Sequence, residues 1–268
     1  NNSKPYVIYG YAVVTNGRKL EVSAGARIHF HAESGIIVAN DASLEVKGQP
    51  SLTDALENEV IFEGDRLEPG FSEVPGQWGT IWLTNGSHSN ILNNLTIKNA
   101  VIALYVNGND GTNTVNTSLT NVQIYNCSNI GIYATTGYID GKNVVINNCG
   151  EASFIGSFGG SYEFTHCTFA NYWPTPNQTC VVLSNDKING TSTPLTKANF
   201  NNCIVYGSSN LAFSHKKEGS IFNFKYTNCL IKFIDTNNQF ANIAEYNFAN
   251  PSLFENCIRA SNSTQNKP

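Results

Sequence analysis

Apolar residues fall at every second position in short runs along most of the chain. The runs over residues 119–127, 138–149 and 160–167 each alternate in this way, and each ends in Asn-Cys or His-Cys. A period of two is typical of β-strands, whereas a helix repeats its apolar positions every three or four residues. The pattern therefore predicts an all-β protein made of recurring strands.

The runs recur in one direction along the sequence, with polar, Asn-rich or Gly-rich corners between them. The spacing from one cysteine to the next is 22, 18, 36, 26 and 28 residues through Cys127, Cys149, Cys167, Cys203, Cys229 and Cys257. Such a repeat is typical of a right-handed parallel β-helix, in which each coil pairs only with its neighbours. An antiparallel sandwich is the alternative, but it would need hairpin turns every 8 to 12 residues.

The corner residue is predicted from its backbone preference. Asn precedes five of the seven cysteines, and Asn99-Ala100 holds the same place one coil earlier. Asn tolerates the left-handed backbone of a tight corner, and amides stacked on successive coils can hydrogen-bond into a ladder. We expect the six repeated cysteines to form one inward column of mostly free thiols, because their Cβ vectors would run parallel. His166 replaces Asn in one copy and is interpreted as a corner residue. Cys180 lies outside this pattern.

One domain is predicted over residues 1–268. Residues 1–62 form the N-terminal coils, 63–77 an excursion rich in Asp, Glu, Pro and Gly, 78–260 the main coils, and 261–268 a frayed tail. After the excursion, Ile81 and Leu83 fit the interior, and Trp78 and Trp82 share the opposite face. These tryptophans could stack on a sugar ring, although burial under the preceding loop is the favoured interpretation.

Charge and composition exclude several classes of function. The formal net charge is −4 with no basic stripe, so nucleic acid is not expected as a partner. No run of about 20 apolar residues is present, so no transmembrane segment is expected. His29 and His31 alternate with apolar residues and are predicted to face outward. Because no third ligand is identifiable, we expect no metal, and nothing in the sequence indicates a cofactor.

The chain resembles the secreted right-handed parallel β-helix proteins of Bacteroidetes, which are often lipoproteins within the wider pectate-lyase-like superfamily. The resemblance is carried by AGARIHFHAESGIIVANDASLEVKG, GQWGTIWL followed by GSHSN, GGSYEFTHCTFANYW, and NPSLF. It implies an exported protein that is periplasmic, anchored to the outer membrane or extracellular. It also implies contact with polysaccharide or with another cell-surface partner.

A catalytic site is not recognisable in the sequence. If Leu104, Ile132, Phe154 and Phe213 face inward, the outward column holds Tyr105, Tyr133, Ile155 and Ser214, which is neutral. From residue 100 onward there are nine carboxylates and one arginine, Arg259. Asp140 lies nine residues before its cysteine and Glu163 only four before its own, so we expect them at different points of the coil. No catalytic residue is proposed from the sequence.

The long irregular stretch over residues 171–195 is the best candidate for function, because loops on a rigid scaffold tend to carry it. It holds Tyr172, Trp173 and Asp186, which together suit carbohydrate contact, and Trp78 and Trp82 are the further candidates. We predict a non-catalytic exported or cell-surface protein that binds glycan or a surface partner through these aromatic residues. The alternative is a divergent polysaccharide lyase or glycoside hydrolase, which would need converging carboxylates or an acid beside Arg or Lys.

Overall fold

The chain folds as a right-handed parallel β-helix, as predicted. The computed structural model describes residues 4–175, 178–188, 190–219 and 221–261. Of the predicted tail, only Ser261 lies within the described residues. Two large parallel sheets form the wall of the helix, and the excursion lies between β7, which ends at Gly64, and β8, which begins at Ile81.

The first sheet contains sixteen strands. They are β1 (Tyr6–Ile8), β3 (Lys19–Ser23), β4 (Arg27–Phe30), β6 (Ser43–Lys47), β7 (Val60–Gly64), β9 (Asn90–Lys98), β11 (Thr117–Cys127), β13 (Tyr138–Cys149), β15 (Gly160–Thr165), β16 (Thr168–Asn171), β20 (Leu195–Asn201), β21 (Ile204–Gly207), β23 (Lys225–Thr227), β24 (Leu230–Lys232), β25 (Phe254–Glu255) and β26 (Ile258–Ala260).

The second sheet contains eight strands. They are β2 (Tyr11–Val14), β5 (Gly35–Val38), β8 (Ile81–Leu83), β10 (Ile102–Asn107), β12 (Ile130–Thr135), β14 (Ala152–Ser157), β17 (Thr179–Ser184) and β22 (Phe213–Lys216). A small antiparallel pair, β18 (Lys187–Ile188) and β19 (Thr191–Ser192), projects after β17. Two short 3₁₀ turns occur at Pro69–Phe71 and Ala244–Tyr246.

The lumen is filled by the apolar side of each strand. Leu104, Ile132, Phe154 and Phe213 are buried, as predicted from the alternation. Complete burial of such a side chain is worth about 1.5–3 kcal/mol, so the stacked lumen is the main source of stability. Toward the C-terminus the lumen becomes aromatic, and the chain after β24 brings Phe240, Tyr246 and Phe248 against it. The ring of Tyr246, for example, lies 5.3 Å from that of Phe213.

Asn corners are confirmed, but there are two of them in each regular coil. The first corner runs through Asn94, Asn121, Asn143, His166, Asn202, Asn228 and Asn256, and the second through Asn99, Asn126 and Asn148. Each of these residues has a left-handed backbone. Amide ladders form at both corners, with Asn143 donating to Asn121 (2.8 Å) and Asn148 donating to Asn126 (2.5 Å).

The single cysteine column predicted from the sequence is wrong, because the cysteines divide between the two corners. Cys127 pairs in register with Cys149 at the second corner. The pairing of β13 with β16 matches Val145 to Thr168, which sets Cys167 beside Val144 at the first corner. Cys203, Cys229 and Cys257 continue that first column. All seven cysteines are free and all except Cys257 are buried, so the predicted thiol state and inward direction are confirmed.

Candidate functional site

A groove of about 700 Å³ opens at the surface beside Tyr172 and Trp173. Tyr172 is 49 % exposed and Trp173 is half-buried, so both rings are available to a ligand. The residues that line the groove are Tyr172, Trp173, Pro174, Thr175, Gln178, Ser208, Ser209, Asn210 and Leu211. Two of the residues predicted from the sequence therefore lie together in one concave site.

The groove exists because the second corner changes at Asn171. In the preceding coil Asn148 turns the chain sharply into β14. Asn171 takes the register position of Asn148 in the next coil, but it ends strand β16 instead. Its buried amide accepts a hydrogen bond from the Cys149 backbone N–H (2.9 Å) and donates to the Thr179 carbonyl (3.1 Å). The chain then leaves the wall and carries Tyr172 and Trp173 outward before it rejoins at β17.

The opposite wall of the groove comes from the next coil, after β21. Ser208 N–H donates to the Asn171 carbonyl at 2.8 Å, which joins the two walls. Lys232, which is buried, donates from Nζ to the carbonyl oxygens of Gly207 (2.8 Å) and Ser208 (3.1 Å). Its ammonium fixes the backbone of this wall from behind. The sequence does not single out Lys232, since a single lysine at the end of a strand carries no signal.

The lining is uncharged and offers hydroxyl and amide groups beside the two aromatic rings. None of the described residues that line the groove is acidic or basic. Gln178 is only 5 % exposed, and its Nε2 donates to the Ser208 hydroxyl while its Oε1 has no hydrogen-bond partner. A buried acceptor without a partner costs about 1–3 kcal/mol, and a donor brought within reach of this oxygen would remove that cost.

Asp186 lies away from the groove, although the sequence places it in the same irregular stretch. Strand β17, from Thr179 to Ser184, separates it from the aromatic pair, and five residue steps along a strand span about 16 Å. Partial burial opposes ionisation of Asp186, but hydrogen bonds from Lys216 (2.7 Å) and Ser184 (2.5 Å) lower the pKa of its carboxyl overall. Asp186 is therefore an ion-paired carboxylate at the far edge of the second sheet.

Trp78 was predicted to share the outer face with Trp82, and this is wrong. Trp78 is 1 % exposed within the core, where its ring stacks on Phe30 (centroids 4.1 Å apart). Its Nε1 donates to the Lys98 carbonyl at 2.9 Å. The alternation fails because Trp78 precedes strand β8, which begins only at Ile81. Trp82 does lie on the outer face, half-buried and stacked on Tyr105 (5.8 Å).

Asp140 and Glu163 also correct a prediction, because they are register partners on adjacent strands of the first sheet. The prediction of different positions requires Cys149 and Cys167 to be equivalent, but these cysteines belong to different corners. Each carboxylate has a lysine close by, with Lys142 Nζ at 3.3 Å from Asp140 and Lys197 Nζ at 3.3 Å from Glu163. The pair places two acids on adjacent strands of the main coils.

His29 lies on the outer face as predicted, in register with Glu63, although it is only 7 % exposed. Its Nδ1 lies 3.6 Å from Glu63, which is in turn 2.8 Å from Lys98 Nζ. Burial works against charge on Lys98, but the ion pair with Glu63 raises its pKa above the ordinary value. His31, by contrast, is exposed and contacts Asp65 at 2.7 Å. Within the described part of the chain, no three His, Cys, Asp or Glu side chains are arranged to hold a metal ion.

Comparison with known proteins finds no match for this chain among protein-family models, curated proteins or solved structures. In the part of the chain that the structure describes, no helix has the length and apolar character needed to cross a membrane. The geometry of the chain's own residues therefore carries any functional assignment.

Proposed function

We propose that this chain is a non-catalytic β-helix that binds a neutral glycan in the groove beside Tyr172 and Trp173. The observation that carries the proposal is the lining itself, which combines two accessible aromatic rings with amide and hydroxyl groups and has no charged side chain among its described residues. Ligand sites typically join apolar surface to a few oriented polar groups. Aromatic rings supply apolar contact for the C–H faces of a sugar, and Gln178, Asn210 and the serines match its hydroxyl groups.

The location follows the same proposal. We place the protein outside the cytoplasm, in the periplasm, on the outer membrane or in the medium, where it would meet polysaccharide. We also propose, from the sequence motifs that resemble them, a relationship to the secreted lipoprotein-type β-helix proteins of Bacteroidetes and to the pectate-lyase-like superfamily. The parallel β-helix fold is compatible with this proposal. Fractionation of the native host tests the location, with the protein expected in the periplasmic, outer-membrane or extracellular fraction and not in the cytoplasmic one.

A glycan array tests the binding directly, with the wild-type chain compared with Trp173→Ala and Tyr172→Ala. Both substitutions are expected to abolish retention of the glycans that the wild type binds. Tyr9→Ala is the matched control, because Tyr9 is a 73 % exposed aromatic residue that does not line the groove. Retention unchanged in both groove variants would contradict the proposal.

A divergent polysaccharide lyase or glycoside hydrolase is the second candidate, favoured by the register pairing of Asp140 and Glu163. Side chains on paired strands are close enough for two carboxylates to act on one bond. Assays for new reducing ends and for unsaturated products separate the candidates. Product that is formed by the wild type and lost in Asp140→Asn and Glu163→Gln would replace the binding proposal with catalysis.

A further inference from the structure

A second concave surface adjoins the groove and shares part of its lining. This second pocket, of about 360 Å³, is also lined by Gln178, Ser209 and Leu211. It adds Val182 and Ser214 on the outer face of the second sheet, with Phe240 and Glu151 at its sides. The two openings therefore form one continuous depression that leads from the aromatic groove onto the sheet.

The outer face of the second sheet continues this depression as an apolar column. In register along successive coils lie Trp82, Tyr105, Tyr133, Ile155 and Val182. The rings of Tyr105 and Tyr133 stack at 5.1 Å, and those of Trp82 and Tyr105 at 5.8 Å. Ile155 of the column also packs with Ile130 and Ala152 in a small apolar cluster separate from the lumen. An apolar stripe of this kind on an outer wall is typical of a binding surface.

The Trp82 indole adds a polar group to the column that needs a partner. Its Nε1 is a buried donor with no hydrogen-bond partner, whereas the buried Trp78 Nε1 has one. Where the groove and the second pocket meet, Gln178 Oε1 is a buried acceptor without a partner. An unpaired donor and an unpaired acceptor at two points along one surface fit a ligand that carries several hydroxyl groups.

From these observations we propose that the site is an extended track that holds a neutral polysaccharide chain over several sugar units, parallel to the axis of the β-helix. The track consists of the groove, the second pocket and the column from Val182 to Trp82. Neighbouring strands are about 4.8 Å apart, so the five column positions span about 19 Å. This length exceeds one sugar ring. The inference rests on the proposed function and deepens it, because it names a polymer rather than a single sugar as the ligand.

Charge narrows the class of polymer. Among the described residues that line the groove and the second pocket, Glu151 is the one charged side chain, and it is acidic. A uronic acid polymer would bring carboxylates beside Glu151 with no cation in the lining to offset them. The track therefore favours neutral chains such as xylans, glucans or mannans over polygalacturonate.

Calorimetric titration with oligosaccharides of defined length tests the track. The probes are xylo-, cello-, laminari- and manno-oligosaccharides of two and six units, with oligogalacturonides as the charged comparison. The hexasaccharide of the preferred series is expected to bind about tenfold more tightly than the disaccharide, which corresponds to about 1.4 kcal/mol. The oligogalacturonides are expected to bind more weakly than neutral chains of equal length.

Variants separate the track from the groove. Tyr105→Ala combined with Tyr133→Ala is expected to reduce hexasaccharide affinity to that of the disaccharide and to leave disaccharide affinity unchanged. Tyr133→Leu keeps the apolar volume at this position and is the control for loss of folding. Thermal melting checks that this variant and the double alanine variant are folded. Trp173→Ala is expected to weaken binding of both lengths.

The outcomes distinguish the two proposals. Equal affinity for both lengths, or column variants that leave hexasaccharide affinity unchanged while Trp173→Ala still weakens binding, would overturn the track and leave the groove standing. Tighter binding of oligogalacturonides would overturn the choice of a neutral polymer. No binding of any probe by the wild type would remove the proposed function together with the track.

Discussion

His215 makes a specific prediction about the pH dependence of stability. It is buried at the C-terminal end of the lumen, within 6 Å of the rings of Phe213, Phe222, Phe224, Tyr226 and Tyr246. Its Nε2 lies 3.2 Å from the Tyr226 hydroxyl, and its Nδ1 has no hydrogen-bond partner. Burial among these rings lowers the pKa of His215 to about 3.

The titratable groups packed against His215 are the phenols of Tyr226 and Tyr246. Burial raises the pKa of both above the ordinary value, so they stay neutral at acidic pH. The unfolded chain binds a proton at His215 near pH 6.5, but the folded chain does not until about pH 3. Stability from this residue is therefore present above pH 6.5 and is lost as the pH falls toward 3. Between pH 7 and pH 5 the loss is about 2 kcal/mol.

Urea unfolding at pH 7 and pH 5 measures this loss. The wild type is expected to lose about 2 kcal/mol more over the interval than His215→Gln, whose amide can still reach Tyr226. His31→Gln is the control, since it removes an exposed histidine outside the lumen, and the loss that depends on His215 should persist in this variant. An equal loss in the wild type and in His215→Gln would refute the assignment of a neutral buried histidine.

Three further predictions address the corners, the thiols and the groove wall. In urea unfolding, Asn148→Ala should lower the free energy of unfolding by about 2–3 kcal/mol, because it loses an amide ladder bond and forces Ala into a left-handed backbone (φ 54°). Asn148→Gly loses the bond but tolerates this backbone, so it should lower the free energy of unfolding by about 1 kcal/mol. A thiol reagent at pH 8 should label about one cysteine in the native protein, Cys257, and all seven after denaturation. Rapid labelling of Cys203 in the native protein would contradict the buried column. Lys232→Met removes the donor to two carbonyl oxygens of the groove wall, so it should lower the free energy of unfolding by about 2 kcal/mol and weaken glycan binding. Unchanged glycan affinity would exclude a positioning role for Lys232.

Local pattern was sufficient to predict the parallel β-helix, the left-handed Asn corners and the neutral outward column of Tyr105 and Tyr133. These features depend on residues that repeat with a fixed chemistry. The assignment of Cys149 and Cys167 to one corner failed because an Asn-Cys dipeptide and a His-Cys dipeptide look equivalent in sequence. Only pairing between coils shows that Val144, and not Cys149, is the partner of Cys167.

The candidate site was predictable only in part. Tyr172 and Trp173 stood out as aromatic residues in an irregular stretch, and both line the groove. The opposite wall could not be predicted, because Ser208 and Leu211 are ordinary loop residues that reach the groove from the next coil. The same limit applies to Lys232 and to Gln178, whose importance comes from burial and from hydrogen bonds that the sequence does not encode locally.

Tryptophan fluorescence tests the central claim most directly, because Trp173 is the one tryptophan that lines the groove. Trp82→Phe removes the tryptophan of the outer column, so that Trp173 and the enclosed Trp78 are the remaining tryptophans. Titration of this variant with the neutral hexasaccharides is expected to give a saturable change in emission without release of product, and the change should disappear in Trp82→Phe/Trp173→Phe. An emission spectrum that no neutral oligosaccharide alters, or an equal change after removal of Trp173, would contradict glycan binding in this groove.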